Sequence, residues 1–176
     1  PGPYKRVSSG GVNIIFSDSN THHRGEENYR RSGEVDAMRI PKDGFYAHQV
    51  MWDGWVDTRK TGIHLIGHWN YKTGTKKNIY VIAAGDKAEL FLNGKSLGFG
   101  EKSNGFLYTF KNVTHQPGTI KAVSYDNKGT KLAQAQLKTA AEPVAIKLTK
   151  IQNPAGFKAD GADLALVQVE VLDAPG

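Results

Sequence analysis

The sequence predicts a mainly β protein, in which an antiparallel β-sandwich follows a single β/α unit. Three observations predict this fold class. Short apolar or alternating segments follow one another from residue 62 to residue 137. Turn-forming residues separate them roughly every 8 to 12 positions, which is typical of a sandwich. One strand, loop and helix pattern comes before residue 56. The predicted domains are residues 1–55, 56–141 and 142–176.

Composition excludes several classes of protein. The 176 residues are 39% hydrophobic, which is enough for a buried core, and they include no cysteine, which excludes disulfides and thiolate zinc sites. The net charge of +6 comes from scattered basic residues, so we interpret it as solvated surface and predict no nucleic-acid partner. No apolar run approaches the roughly 20 residues that span a bilayer, so no membrane partner is predicted.

The first predicted unit is a strand, a polar loop and a helix. Val12–Phe16 is a continuous apolar run, typical of a strand buried on both faces of a parallel sheet. After the loop, PKDGFYAHQVMW predicts a helix, with Pro41 in its first turn and Asp43 near the positive end of the helix dipole. Such a strand needs parallel neighbours, so this unit cannot stand alone.

The predicted sandwich strands are GIHLIGHW, NIYVIAA, AELFL, KSLGF, FLYTF, TIKAVSY and KLAQAQL. Asn93 and Gly94 separate two of them and predict a type I′ hairpin turn, because both residues accept a positive φ. The segment DNKG at 126–129 predicts a second turn. Farther on, AIKLTKI and DLALVQVEVLD predict the first strands of another sandwich. The chain starts just before a strand and stops at VEVLDAPG, which predicts a piece of a longer protein.

The three tryptophans could stack on a sugar, but packing is the favoured interpretation. Trp52 shares a helical face with Phe45 and His48, so we expect it to pack the helix against the sandwich. Trp55 is also expected in the core or at a domain interface. The same interpretation is favoured for Trp69, although its place at a strand end, beside Asn70 and Tyr71, suggests more exposure.

Other aromatic and histidine side chains are interpreted as structural. His64 and His68 lie roughly 13 Å apart along a strand, too far to share a metal ion. Aromatic residues that alternate at strand spacing are expected to pack in the sandwich; these are Tyr80, Phe91, Phe106, Tyr108 and Phe110.

The polar loop SDSNTHHRGEENYRRSG, residues 17–33, has the composition of a functional site. Glu26 and Glu27 are unsuited to be a catalytic carboxylate pair, because adjacent side chains diverge. The same objection applies to His22 and His23 as zinc ligands. Two interpretations remain open: the charges form a structural network, or the loop lines a substrate pocket.

Several segments resemble glycoside hydrolase family 2. DKAELFLNGKSLGFG, FLYTF and QPGTIKAVSYDNKGTKLAQAQLKTA resemble the immunoglobulin-like module that follows the catalytic barrel in its β-galactosidase-like members. GGVNIIFSDSNTHHRG and SGEVDAMRIPKDGFYAHQVMW resemble the last strand and helix of the family's (β/α)8 barrel. ADGADLALVQVEVLDAPG resembles the opening of the next sandwich. The resemblance implies an immunoglobulin-like sandwich preceded by a terminal β/α unit of a barrel.

The resemblance also implies a parent enzyme that hydrolyses β-glycosides with retention. Such enzymes use two glutamates about 5 Å apart, which in this family follow the fourth and seventh barrel strands. This chain resembles the family from the eighth strand onward, so we predict no catalytic residue, no metal, no cofactor and no activity for it alone. None of its glutamates stands in the family's catalytic context: Glu26, Glu27, Glu34, Glu89, Glu101, Glu142 and Glu170.

Loops at the carboxyl ends of barrel strands form the active-site face of barrel enzymes. By resemblance, the loop after Phe16 therefore lines the substrate pocket. The predicted substrate-binding residues are Ser17, Asp18, Asn20, His22, His23 and Arg24. Many relatives place a tryptophan near this position, and this chain has Phe16 and Ser17. Two kinds of substrate are compatible with this loop. One is a galactoside that is bound mainly by polar contacts, and the other is a glycan whose anionic group is bound by His22, His23, Arg24 or Arg30.

The implied partners are a β-linked carbohydrate and the remainder of the barrel, and the implied location is periplasmic or secreted. Two other functions stay open: an independent carbohydrate-binding module, which requires a row of exposed aromatics on one sandwich face, and a structural array of sandwiches, which the β/α segment disfavours. In the isolated chain, we expect VNIIF and the helix to fold back, swap between chains or promote self-association.

Overall fold

A computed structural model of the chain describes residues 15–19 and 30–174. Among these described residues, one helix precedes ten strands. Their bounds are α1 (Asp43–Val56), β1 (Ile63–Leu65), β2 (Lys76–Ala83), β3 (Lys87–Leu92), β4 (Lys95–Phe99), β5 (Glu101–Ser103), β6 (Leu107–Thr114), β7 (Thr119–Tyr125), β8 (Lys131–Lys138), β9 (Pro143–Ile151) and β10 (Leu166–Asp173). Most of the predicted strand Val12–Phe16 lies outside the described residues. No helix among the described residues is long and apolar enough to cross a membrane.

Strands β1 to β8 form the predicted immunoglobulin-like sandwich. One four-stranded sheet has the order β1-β2-β6-β5 and the other β4-β3-β7-β8, with antiparallel neighbours throughout. Alternate residues of the strands point between the sheets, as the period-2 pattern predicts. The side chains buried there include Leu65, Trp69, Val81, Leu90, Tyr108 and Ile120. The mainly β fold class is therefore confirmed.

Both predicted turns are confirmed. Asn93 and Gly94 have φ values of 50° and 82°, as a type I′ turn requires. In the second turn, the Asp126 carboxylate accepts hydrogen bonds from the amides of Lys128 and Thr130. Strand β5 was not predicted, because its three residues are polar and exposed and carry no alternation.

Helix α1 packs on the outer face of the first sheet, through Val50 against Ile82, Ala84 and Phe106. A Cβ atom at Gly54 would lie 2.9 Å from a ring carbon of Phe106, so only glycine permits this close approach. The described β/α segment thus has a fixed contact with the sandwich.

The expected positions of the tryptophans were wrong in two respects. Trp52 is 66% exposed and does not pack helix α1 against the sandwich, because it lies opposite the face that carries Val50. Trp55 is 68% exposed and meets the sandwich only edge-on, with its ring centroid 5.5 Å from that of Phe106. Trp69 is 2% exposed, as expected for packing in the core, and its indole N–H donates to the Gln116 carbonyl at 3.1 Å. Strand β1 ends at Leu65, so Trp69 lies in the segment beyond the strand, where its ring packs in the core.

Strands β9 and β10 form a separate antiparallel hairpin. A 2.8 Å hydrogen bond from the Ala141 amide to the Asp173 carboxylate links it to the segment that precedes β9. One hairpin face is apolar and exposed, and its members are Val144, Ile146, Leu148, Val167, Val169 and Val171. That these strands open a further sandwich remains a prediction.

Candidate functional site

The residues that follow the predicted first strand are held against a second segment. Ser17 pairs in parallel with Val35, and the Asp18 amide donates to the Val35 carbonyl at 3.0 Å. The Ser17 hydroxyl donates to the Asp36 carbonyl at 3.0 Å. Of the predicted substrate-binding residues, Ser17 and Asp18 are described. The other four lie outside the described residues: Asn20, His22, His23 and Arg24.

The Asp18 carboxylate is the most enclosed charge of this segment, with its side chain 6% exposed. Lys42 Nζ lies 3.0 Å from Asp18 Oδ1 and 3.1 Å from Oδ2, and the Gly33 amide donates to Oδ1 at 2.8 Å. Burial raises the pKa of Asp18, but these hydrogen bonds and the charges of Lys42 and Arg31 outweigh burial, so the net pKa lies below its usual value. The carboxylate is therefore ionised and internally bonded at neutral pH.

Gly33 and Lys42 complete this cluster, and neither was identified from the sequence. A Cβ atom at Gly33 would lie 2.3 Å from the Asp18 amide nitrogen, so the two segments approach as closely as they do only because residue 33 is glycine. Lys42 Nζ also donates to the Arg31 carbonyl at 2.8 Å. The Lys42 ammonium group therefore links Asp18, near the start of the polar loop, to Arg31, near its end. The sequence contained only two indications of this cluster, which were a glycine at the end of the loop and a lysine directly after Pro41.

Asp43 makes the next contact along the chain, toward the sandwich. One of its carboxylate oxygens lies 2.7 Å from His64 Nε2, and the other accepts a 2.9 Å hydrogen bond from the Gly67 amide. The His64 ring stacks on Tyr46 with a centroid distance of 4.9 Å. The sequence predicted a favourable place for Asp43 near the positive end of the helix dipole. In the structure, Asp43 also connects the start of α1 to β1 and to the residues that follow β1.

An open apolar groove of about 480 Å³ runs along the side of α1 that faces away from the sandwich. Phe45, His48 and Trp52 line it together, which confirms their predicted common face. His48 Nδ1 lies 2.6 Å from a Glu34 carboxylate oxygen at its edge. The groove has the character of a packing surface, since its lining is mainly apolar.

The sandwich, which the structure describes throughout, carries no row of exposed aromatics on either outer face. Tyr80 is 40% exposed on one sheet, which departs from its expected role in packing, and Phe99 is 61% exposed on the other. Phe91 lies beneath the Lys121 ammonium, 5.0 Å from its ring centroid. Within residues 15–19 and 30–174, no group of three or more acidic or histidine side chains is placed to bind a metal.

Comparison with known proteins places these features in a family. A model of a domain of unknown function (DUF4982) matches residues 74–133. The chain is 43% identical over 98% of its length to a β-glucuronidase of Formosa agariphila, and 37% identical over 82% of its length to the β-galactosidase BoGH2A of Bacteroides ovatus. A solved β-glucuronidase from glycoside hydrolase family 2 superposes on 92% of the chain with a TM-score of 0.80 and 41% identity.

In sequence and fold, the chain matches a part of glycoside hydrolase family 2 proteins. It spans 17% of the Formosa relative, 16% of the Bacteroides relative and 16% of the solved structure, so it corresponds to a part of a family 2 protein. The resemblance of its strands, turns and helix to this family is thereby confirmed.

Proposed function

We propose that this chain is a non-catalytic part of a retaining β-glycosidase that acts on β-glucuronides, and that it supplies a substrate-side loop and an accessory sandwich. The observation that carries the proposal is the 43% identity, over 98% of the chain, to a β-glucuronidase. In this proposal the catalytic glutamates belong to the remainder of the barrel.

The chemistry of the loop supports an acidic sugar. A glucuronide carries a carboxylate, and an arginine guanidinium binds carboxylates through two parallel hydrogen bonds. The Arg30 amide donates to the Ser19 carbonyl at 2.8 Å and the Ser19 amide to the Arg30 carbonyl at 3.1 Å, so Arg30 lies directly beside the segment that follows the predicted strand. We propose Arg30 as a reader of the sugar carboxylate, together with the predicted His22, His23 and Arg24.

Ser17 and Asp18 take a different role in this proposal. Both oxygens of Asp18 already accept hydrogen bonds from Lys42, and one also accepts from Gly33. The Ser17 hydroxyl is bonded to the Asp36 carbonyl. We therefore propose that these two side chains shape the loop, while Asn20 and the loop cations contact the sugar.

The groove along α1 is the proposed contact with the remainder of the barrel. Trp52 and Trp55 are exposed on this side, and the opposite side of the helix is already packed on the sandwich. Barrel helices bury their inner face against strands, so an apolar lining suits this neighbour. Helix α1 is then shared between barrel and sandwich.

A β-galactosidase is the second candidate, supported by the 37% identity to the Bacteroides β-galactosidase. An independent carbohydrate-binding module is disfavoured, because the outer faces of the sandwich lack the row of exposed aromatics that it requires.

Hydrolysis of paired chromogenic substrates tests this proposal. The chain extended upstream through a whole barrel is expected to cleave a β-glucuronide much faster than a β-galactoside, and the 176-residue chain alone is expected to cleave neither. Arg30→Gln is expected to lower kcat/KM for the glucuronide by about tenfold or more, the cost of losing a charged hydrogen-bonding partner, with less effect on the uncharged methyl ester.

Arg59→Gln is the matched control, because Arg59 is exposed and pairs with Asp57 beyond the end of α1. It is expected to leave both rates unchanged. A faster rate on the galactoside would favour the second candidate, and activity of the short chain would contradict the non-catalytic assignment.

A further inference from the structure

We propose that the adjacent residues Lys42 and Asp43 connect the sandwich to the substrate-side loop, so that the accessory sandwich positions the loop through them. The consequence for turnover rests on the proposed function, whereas the mechanical connection does not. Neither residue touches the reacting atoms in this proposal, so both are positioning residues.

Lys42 makes the connection on the loop side. Its ammonium reaches both oxygens of Asp18 and the carbonyl of Arg31, and its backbone amide donates to the Glu34 carbonyl at 2.9 Å. Asp18 and Arg31 stand near the two ends of the polar loop, and Glu34 follows it directly. Lys42 therefore closes the loop at its base, where a charge-assisted bond to an enclosed carboxylate is stronger than an exposed ion pair.

Asp43 makes the connection on the sandwich side. Its carboxylate bonds the His64 ring of β1 at 2.7 Å and the Gly67 amide beyond β1 at 2.9 Å. Stacking of His64 on Tyr46 holds that ring between helix and sandwich. A carboxylate with two partners on one segment fixes the start of α1 in both distance and direction.

The backbone explains why adjacent residues reach opposite partners. Lys42 is the residue before the helix, with extended φ and ψ values of −106° and 175°, and Asp43 is the first helical residue. The side chains of adjacent residues diverge in either conformation. Any movement of the sandwich that displaces Asp43 is therefore passed through one peptide unit to Lys42 and Asp18.

Local helix chemistry does not favour a lysine here. The amino end of a helix carries a partial positive charge, so a cation at this position is unfavourable unless an anion compensates. The side chain of Lys42 also caps no helix amide. Its contacts are to the loop, which indicates that this lysine serves the loop rather than the helix.

Hydrogen exchange read by mass spectrometry on the full-length protein tests the connection without reference to activity. Lys42→Met is expected to speed exchange of the amides of Asp18, Gly33 and Val35 by about tenfold, as expected for the loss of charge-assisted hydrogen bonds. Asp43→Ala is expected to act in the same direction and less strongly. Asp53→Ala is the matched control, because Asp53 forms a comparable ion pair with Lys60 at the other end of α1, and it should leave these amides unchanged.

The double variant decides whether Asp43 acts through Lys42. If it does, adding Asp43→Ala to Lys42→Met speeds loop exchange no further, whereas additive effects would overturn the proposal. An equal rise in the β3 peptide, residues 87–92, would also overturn it, since that pattern indicates general destabilisation.

Kinetics on the chromogenic glucuronide supply the second readout. Both single variants are expected to raise KM more than they lower kcat, because the loop is proposed to bind substrate, whereas the proposed catalytic glutamates belong to the remainder of the barrel. A fall in kcat with unchanged KM would overturn the positioning role. If the wild type cleaves no glycoside, the proposed function fails, and the exchange experiment still decides the connection.

Discussion

The β1–β8 sandwich and the β9–β10 hairpin have the same alternating pattern and differ in what covers it. In the sandwich, Leu90 is fully buried and Ile120 is 1% exposed, because a second sheet faces each sheet. In the hairpin, Val169 pairs with Leu148, yet these side chains are 62% and 66% exposed among the described residues. Alternation divides a strand into two faces, and only a partner layer turns one of them into a core.

The largest expected difference between the two regions comes from truncating an apolar side chain in each. Leu90→Ala should lower the free energy of unfolding by about 3 kcal/mol, because it removes buried contacts and leaves a cavity. Val169→Ala should change it by less than about 0.5 kcal/mol, as expected at an exposed position. Urea unfolding of the chain measures both. A loss of similar size at Val169 would show that the hairpin face is covered in solution, and the comparison would fail.

The second-largest expected difference between the sandwich and the hairpin is in how their stability depends on alkaline pH. Burial, with the charge of Asp86, raises the pKa of Tyr108 from 10.0 to about 12, and its hydroxyl donates to the Gly85 carbonyl at 2.7 Å. The unfolded chain then loses this proton at lower pH than the folded chain, so the sandwich should lose stability as the pH rises from 10 to 12. Tyr108→Phe should remove that part of the decline.

The hairpin strands contain no tyrosine and provide the control region. Urea midpoints at several alkaline pH values, for wild type and Tyr108→Phe, measure the effect. Parallel declines in the two proteins would contradict the assigned cause, because other groups that titrate at alkaline pH, such as Tyr125, whose pKa is raised by burial, would then account for the whole change.

The smallest contrast concerns turn asparagines. In the sandwich, the Asn93 side chain donates to the Pro117 carbonyl at 3.0 Å and accepts from the Thr119 amide at 2.8 Å, so it joins two loops. Asn93→Ala should cost about 1 kcal/mol. After β9, the Asn153 side chain accepts a hydrogen bond from the amide of its near neighbour Ala155 and joins no second loop among the described residues, so Asn153→Ala should cost less than about 0.5 kcal/mol. Thermal unfolding checks both, and equal costs would remove the distinction.

Local features of the fold could be predicted well from the sequence. The turn at Asn93 and Gly94, the strands on either side of it and the helix after Pro41 follow from local backbone preferences and short periods. The exposure of Trp52 could not be predicted, because the pattern does not say which helical face meets the sandwich. Nor does it say that β1 ends at Leu65, four residues before the buried Trp69.

The candidate site was predictable only in outline. The polar composition of residues 17–33 marked a functional segment, and the described part of it places Asp18 at the base of the loop. Lys42 and Gly33 were missed, because they lie 24 and 15 positions from Asp18 and no local preference relates them to it.

The sequence by itself determined the helix, the two turns, every described strand except β5, and the resemblance to a family, since each depends on short-range periodicity or on a run of matching residues. Tertiary structure alone decided that Lys42 meets Asp18, that Asp43 meets His64 and that Gly54 lies against Phe106. Those contacts join residues far apart in the chain, and they form only when packing of the apolar faces has brought their elements together.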